Sequence, residues 1–360
     1  MEIKQQNNIE KLVGVQRQKQ FRVTGKSMHM LFHALINMYS DPIGSIVREI
    51  TSNALDAHTE REKKKAGDWP LDPMEDIRYL SDNKNVQIEY IESNKILGIS
   101  QAIIFRDFGV GLSAQRVEDT YTVFGESTKR KSNDEIGGFG LGCKSPFTFT
   151  DTFYVTTSFK GQLYYYMLSK TNDGLSMDLM HQEPSNTKNY TEICVPIPDD
   201  HKKRQFIDAI EEQLRYIDNI EYININIEHP EILYEDEHVI ITDFKSYKQA
   251  KVLIGPISYP LDIEHTDLNH IFNYYVSLDQ TVIFKFPIGV LELVPSRESI
   301  IYSDVTVKAL KEKMFEIIED YKPKLRDLVS TIPDDDIIAK IEYMAAFGES
   351  KGIPDNLVIP

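Results

Sequence analysis

A chain of 360 residues, 41% hydrophobic and 27% charged, has ordinary globular composition and a length that suggests two domains, each able to bury its own core. Its formal net charge of -16 opposes long-range attraction to nucleic acid or anionic lipid, and the basic runs Lys63-Lys64-Lys65, Lys129-Arg130-Lys131 and Lys202-Lys203-Arg204 are expected to be solvated surface. Two cysteines, Cys143 and Cys194, are too few for a disulfide framework and fit a reducing cytoplasm; no run reaches membrane-span length and no signal peptide opens the chain, so membrane association would come through a partner or a surface patch.

In chain order, residues 1–20 are polar and glutamine-rich, as in a flexible arm or a strap that docks on a partner. Residues 28–40 place Met28, Leu31, Phe32, Leu35, Ile36 and Met38 on one helical side. Asp41-Pro42 marks a helix start, and the helix runs to about Lys65. Alternation predicts strands over 86–91 and 102–105, with a turn around Asn94-Lys95 and Gly98, and a short helix over 112–124. The segment 125–142 is polar and glycine-rich, a candidate mobile lid. Strands over 152–158, 162–168, 175–181 and 190–197, with no helices between them, predict an antiparallel sheet. A first domain would end near Pro196-Ile-Pro198. Beyond it come a helix over 201–217, strands over 220–228, 238–243, 251–255 and 281–286, and helices over 304–327 and 334–346, then a loose tail.

Three segments carry candidate chemistry. Glu49, Asn53 and Asp56, at i, i+4 and i+7, stack along one helix stripe beside the apolar line Ile46, Ile50 and Ala54. Asn53 offers magnesium a neutral oxygen, Glu49 can polarise a water aimed at a terminal phosphate, and Asp56 can order the site; a solvated helix face shows the same spacing. Asp107, at a strand end, precedes Gly109 and Gly111; its carboxylate can accept the exocyclic amine of adenine while the glycines admit a flat base, although a plain Asp-Gly turn reads alike. Gly137-Gly138-Phe139-Gly140-Leu141-Gly142 frees successive amides to face an anion, backed by a helix that begins around Leu141 and by the charge of Lys144. It lacks the Gly-Lys-Ser/Thr ending of a Walker loop and the strand context of a Rossmann fingerprint. Thr191 begins an apolar strand and can share a water with Asp107 on adenine, or serve only as a β-branched strand residue. Arg297, after an apolar run, can reach the terminal phosphate or make a surface contact with Glu298. The histidines show no ligand spacing.

These residues resemble the GHKL superfamily of DNA gyrase, the ninety-kilodalton heat-shock chaperone, bacterial histidine kinases and the mismatch-repair protein MutL. Glu49-x-x-x-Asn53-x-x-Asp56-Ala57 looks like its first box, Asp107-x-Gly109-x-Gly111 its second and Gly138-Phe139-Gly140-Leu141-Gly142 its lid box, with Thr191 in the place of its late threonine. Arg106 to Ser113, Ile136 to Phe153 and Val294-Pro-Ser-Arg-Glu298 are similar to the rIIA-type family of T-even-like bacteriophages, whose longer members extend well beyond this length. The resemblance implies an α+β fold: a Bergerat-type α/β sandwich, with a mixed, mostly antiparallel sheet and helices on one face, over residues 20–198, a smaller α/β transducer-like domain over 199–330, and a C-terminal helix and tail over 331–360. It implies ATP and Mg2+ as ligands, Arg297 on the γ-phosphate, lid closure, and a homodimer formed through the N-terminal arm. The glutamate, without an evident phospho-accepting histidine helix, favours slow hydrolysis over phosphotransfer. The expected setting is the host cytoplasm, peripheral at the inner membrane at most, in phage–host conflict or lysis control. The competing expectation is a binding module that captures a host protein, with ATP bound only structurally; a nucleic-acid partner is disfavoured by the charge.

Overall fold

The computed structural model describes residues 39–94, 100–123, 142–171, 174–243, 250–262, 281–294 and 296–331. The N-terminal arm, the helix expected over 28–40 as far as residue 38, the lid as far as Leu141, and the 334–346 helix with its tail lie outside the described residues.

Helix α1 spans Pro42–Ala66. Asp41 starts it by accepting the Gly44 amide at 3.0 Å, proline occupies the first turn, and Gly67, at φ 84°, ends it with its amide on the carbonyls of Lys63 and Lys64. Every residue from Ile43 to Ser52 is buried, so its first turns are enclosed on all sides and the solvated-face reading of the Glu49 stripe fails. The basic run at its end is not all surface either. Lys64 is buried, its ammonium 2.6 Å from both Glu60 and the buried Glu75, which Arg116 also reaches at 3.2 Å. A buried ammonium needs such partners, because desolvation alone would make the charge untenable.

Seven strands form the first sheet: β1 (Val86–Ile91), β2 (Ala102–Asp107), β3 (Thr152–Phe159), β4 (Gln162–Thr171), β5 (Gly174–Pro184), β6 (Tyr190–Pro196) and β7 (Ile220–Ile223). Their order is β5-β4-β3-β6-β2-β1-β7, antiparallel except for the β1–β7 pair. Ile88, Ile103, Phe105, Val155, Ile193 and Val195 on one face join Ile46 and Ile50 of α1 in the core. The opposite face is polar: Arg106 bonds Glu192 at 2.6 Å and Gln87 at 2.9 Å. Helix α2 (Ala114–Thr122), capped by Ser113, follows β2.

Helix α3 (Asp200–Leu214) packs on α1, and β7 hydrogen-bonds β1, so both sit with the first sheet although the sequence places them beyond a boundary near residue 198. The second sheet contains β8 (Ile232–Glu235), β9 (Val239–Thr242), β10 (Ala250–Ile254), β11 (Ile257–Pro260) and β12 (Thr281–Phe286), in the order β11-β10-β12-β9-β8, with β10 and β12 parallel. Strand β11 lies against α3, where Ser258 donates to the Glu212 carbonyl at 2.7 Å. Helix α4 (Asp304–Thr331) contributes Leu310, Met314 and Ile317 to a core continuous with that of the first sheet. The fold is therefore α+β, with mixed, mostly antiparallel sheets. No helix among the described residues is long and apolar enough to cross a membrane, and both thiols are free.

Candidate functional site

Glu49 and Asp56 are buried on α1, and Asn53 between them is half-buried. Where a helix was expected to open at about Leu141, the described chain runs from Gly142 to Thr148 as a short 3-10 segment with Pro146 inside it. Proline cannot supply an interior helical donor, so this segment stays tight and irregular and packs along α1. Gly142 meets Glu49 there. A Cβ on Gly142 would overlap Glu49 Oε2 and lie 3.4 Å from the Glu49 Cβ. Because the overlapped atom ends a flexible side chain, Gly142→Ala is expected to fold with little loss of stability but to turn the carboxylate aside. If Glu49 is catalytic, turnover should fall roughly ten- to a hundredfold at unchanged nucleotide affinity, measured by steady-state and binding assays together. Lys144 is tied to α2: its buried ammonium donates to the Thr120 carbonyl at 2.8 Å.

Arg297 comes to the same carboxylate from the loop before α4. Its Nη1 lies 3.7 Å from Glu49 Oε2, both side chains being nearly buried. That spacing is an ion pair without a hydrogen bond, and the buried Nη1 has no hydrogen-bond partner among the described residues. The arginine backbone sits at φ 57°, a left-handed conformation uncommon for a residue with a side chain, with its amide on the Val294 carbonyl at 2.7 Å. Two further contacts hold the loop on α1. The buried Arg48 donates to the Ser296 carbonyl at 3.2 Å, while Glu298 accepts the Ser40 amide at 3.1 Å, the Ser40 hydroxyl at 2.9 Å and the Asp41 amide at 2.7 Å. Burial alone would raise the Glu298 pKa; these donors outweigh it and hold the carboxyl below its usual range. Tyr39 shares this charged neighbourhood: burial first, then the Glu49 charge, push its phenol up to about 12.

At the other end of the stripe, Asp107 and Thr191 are directly paired across β2 and β6, and Thr191 is paired with Thr157 of β3. Directly opposed strand residues share a face, so these three stand side by side on the helix-facing side of the sheet. Asp107 Oδ1 accepts the Gly109 amide at 2.9 Å. The glycines answer a packing demand inside the protein: a Cβ on Gly109 would lie 2.6 Å from the Ala57 Cβ, and one on Gly111, at φ 70°, would lie 2.5 Å from the Ser158 carbonyl oxygen.

Two residues without a sequence motif tie this turn to α1. His58 Nε2 accepts the Phe108 amide at 2.8 Å and its Nδ1 meets the Lys84 carbonyl at 3.2 Å; Arg61, fully buried, donates to the Phe108 carbonyl at 2.6 Å and the Asn83 carbonyl at 2.5 Å. Burial, with the Arg61 charge added, lowers the His58 pKa to about 4. The unfolded ring takes a proton first, near 6.5, so stability present above that pH is lost as pH falls toward 4. Thermal unfolding followed between pH 7 and 4 should show a loss of roughly 2 to 4 kcal/mol from this group, and His58→Gln should flatten that slope.

Gly138, Phe139, Gly140 and Leu141 lie outside the described residues. The described members of the set thus fall into two linked places: Glu49, Gly142 and Arg297 at one, Asp107 and Thr191 at the other, with Asn53 and Asp56 on the helix between. The oxygens of Asn53, Asp56 and Glu49 are hard donors of the kind magnesium takes, an ion that keeps several waters. Among the described residues no group of three or more His, Cys, Asp or Glu side chains is arranged to hold a metal unaided. No protein-family model matches the chain, and no curated protein matches it.

Proposed function

We propose that this chain is a phage-encoded, rIIA-like ATP-binding protein of the GHKL type, built on a Bergerat-like sandwich, and a slow magnesium-dependent ATPase whose lid closure favours a homodimer. The observation that carries this reading is the meeting of Glu49 with Arg297 and Gly142. A carboxylate, a guanidinium and a bare glycine, each suited to phosphate chemistry and drawn from distant parts of the chain, converge at the buried Glu49 carboxylate.

Asn53 would hold magnesium, which when bound neutralises charge on the phosphate oxygens. Glu49 would orient the attacking water and take its proton as the water oxygen bonds the terminal phosphorus and the bond from that phosphorus to the bridging oxygen breaks, releasing ADP. Arg297 offers Nη1, a donor without a hydrogen bond, to the oxygens on which charge gathers, while its enclosure keeps bulk water from screening that interaction. The Gly142 turn leaves room for the Glu49 carboxylate to reach that position. Asp107, with Thr191 beside it, would accept the exocyclic amine of adenine.

Asp107→Asn tests the base end. The amide can present an N–H where the carboxylate presented an acceptor, so ATP affinity should fall about tenfold or more by calorimetry, with the melting temperature little changed. Equal affinity would remove Asp107 from the pocket.

A further inference from the structure

His58 and Arg61 follow Asp56 on α1, beyond the stripe assigned to phosphate chemistry. Both are buried; the hydrogen bonds of His58 go to backbone, and Arg61 gives its Nη1 to backbone carbonyls while its Nε donates to the Glu62 carboxylate at 2.8 Å. The backbone they hold is specific. The Phe108 amide, in the peptide that joins Asp107 to Phe108, donates to His58 Nε2. The Phe108 carbonyl, in the next peptide, accepts from Arg61, and the other end of that same peptide is the Gly109 amide on which Asp107 Oδ1 rests. Arg61 therefore fixes the peptide plane that orients the Asp107 carboxylate, and His58 fixes the plane before it. The close approach of Gly109 to Ala57 leaves no slack between turn and helix.

The His58 ring can do this in one form only. A backbone amide donates, so Nε2 must accept; the Lys84 carbonyl accepts, so Nδ1 must carry the proton. A glutamine reproduces that pair, one acceptor and one donor, whereas an alanine supplies neither.

We infer that His58 and Arg61 are positioning residues for base recognition: by gripping the two peptides on either side of Phe108 they hold Asp107 in register with the helix that carries Glu49, and so set a preference for a purine bearing an exocyclic amine over one bearing a carbonyl. This rests on the nucleotide reading proposed above. The site tells the two bases apart at the exocyclic group, where a carboxylate accepts an amine and repels a carbonyl oxygen. That discrimination holds only while the carboxylate cannot rotate or withdraw.

The test compares magnesium complexes of non-hydrolysable adenosine and inosine triphosphates on the full chain by calorimetry. The unsubstituted protein should prefer the adenine compound, and His58→Ala should weaken it about tenfold while leaving the inosine compound within about twofold, so that the preference collapses. His58→Gln should restore most of the preference, which a general loss of packing would not allow. A folded His58→Ala protein that keeps the preference, or that weakens both compounds equally, overturns the inference. Should His58→Ala fail to fold, nitrogen NMR of the unsubstituted protein decides. An Nδ1-protonated neutral ring, with His58 and Phe108 signals that shift on adding the adenine compound but not the inosine one, is the expected result; an Nε2-protonated ring, or identical shifts with both, overturns it. A protein that binds neither compound removes the nucleotide reading itself, whereas one that binds both without preference removes only the selectivity assigned here.

Discussion

Glu49→Gln is expected to bind ATP within about twofold of the unsubstituted protein and to hydrolyse it at least about a hundredfold more slowly, the usual loss when a positioned general base is removed. The substitution keeps the shape of the side chain, which matters because it is buried beside Gly142 and Arg297. It removes the proton acceptor and half of the ion pair. Single-turnover hydrolysis alongside equilibrium binding separates these effects: a fall in rate at constant affinity marks an interaction made in the transition state, whereas weaker binding at constant rate marks ordinary ground-state contact. Unchanged hydrolysis would dismiss Glu49 as the base.

The second large effect belongs to Arg297. Arg297→Ala should lower turnover about a thousandfold, the scale at which an arginine stabilises phosphoryl transfer. Arg297→Lys should recover little, since an ammonium lacks the planar fork and a different reach would place its charge elsewhere. The alanine change also leaves the Glu49 carboxylate buried without its cation, so stability should fall as well. That loss should not add to the Glu49→Gln effect: in the double variant the neutral glutamine no longer needs a cation, and part of the stability should return. Additive losses in denaturant unfolding would mean that the two groups do not interact.

Much of this arrangement can be read along the chain before any coordinates. The Asp41-Pro42 start and the Gly67 stop of α1 are local signals, as are the β-branched and aromatic runs that become β3, β4 and β6. Thr191 stands beside Asp107 only through the β2–β6 register, a long-range pairing that the two strand signals do not give. What local pattern does not carry is partnership across the chain. Lys64 looks like one of three surface lysines until Glu75 is folded over it, and Arg48 and Arg61 find their acceptors on Ser296, Phe108 and Asn83. A helix enclosed on every side in its first turns loses the contrast between faces on which periodicity depends. The four-residue β8 and β11 are too short to display an alternation, and β7 joins the first sheet through a parallel pairing that no local pattern marks. His58 and Arg61 share a helix face three residues apart, downstream of the acidic stripe, but nothing in that spacing marks the Asp107 turn as their partner.

The most direct measurement is a calorimetric titration of the folded full chain with a non-hydrolysable ATP analogue, carried out with and without magnesium. Saturable heat for one nucleotide per chain, strengthened by magnesium and weakened by Asp107→Asn, is the predicted result. No heat from any adenine nucleotide with magnesium present would contradict the nucleotide site, and with it the roles given to Glu49 and Arg297.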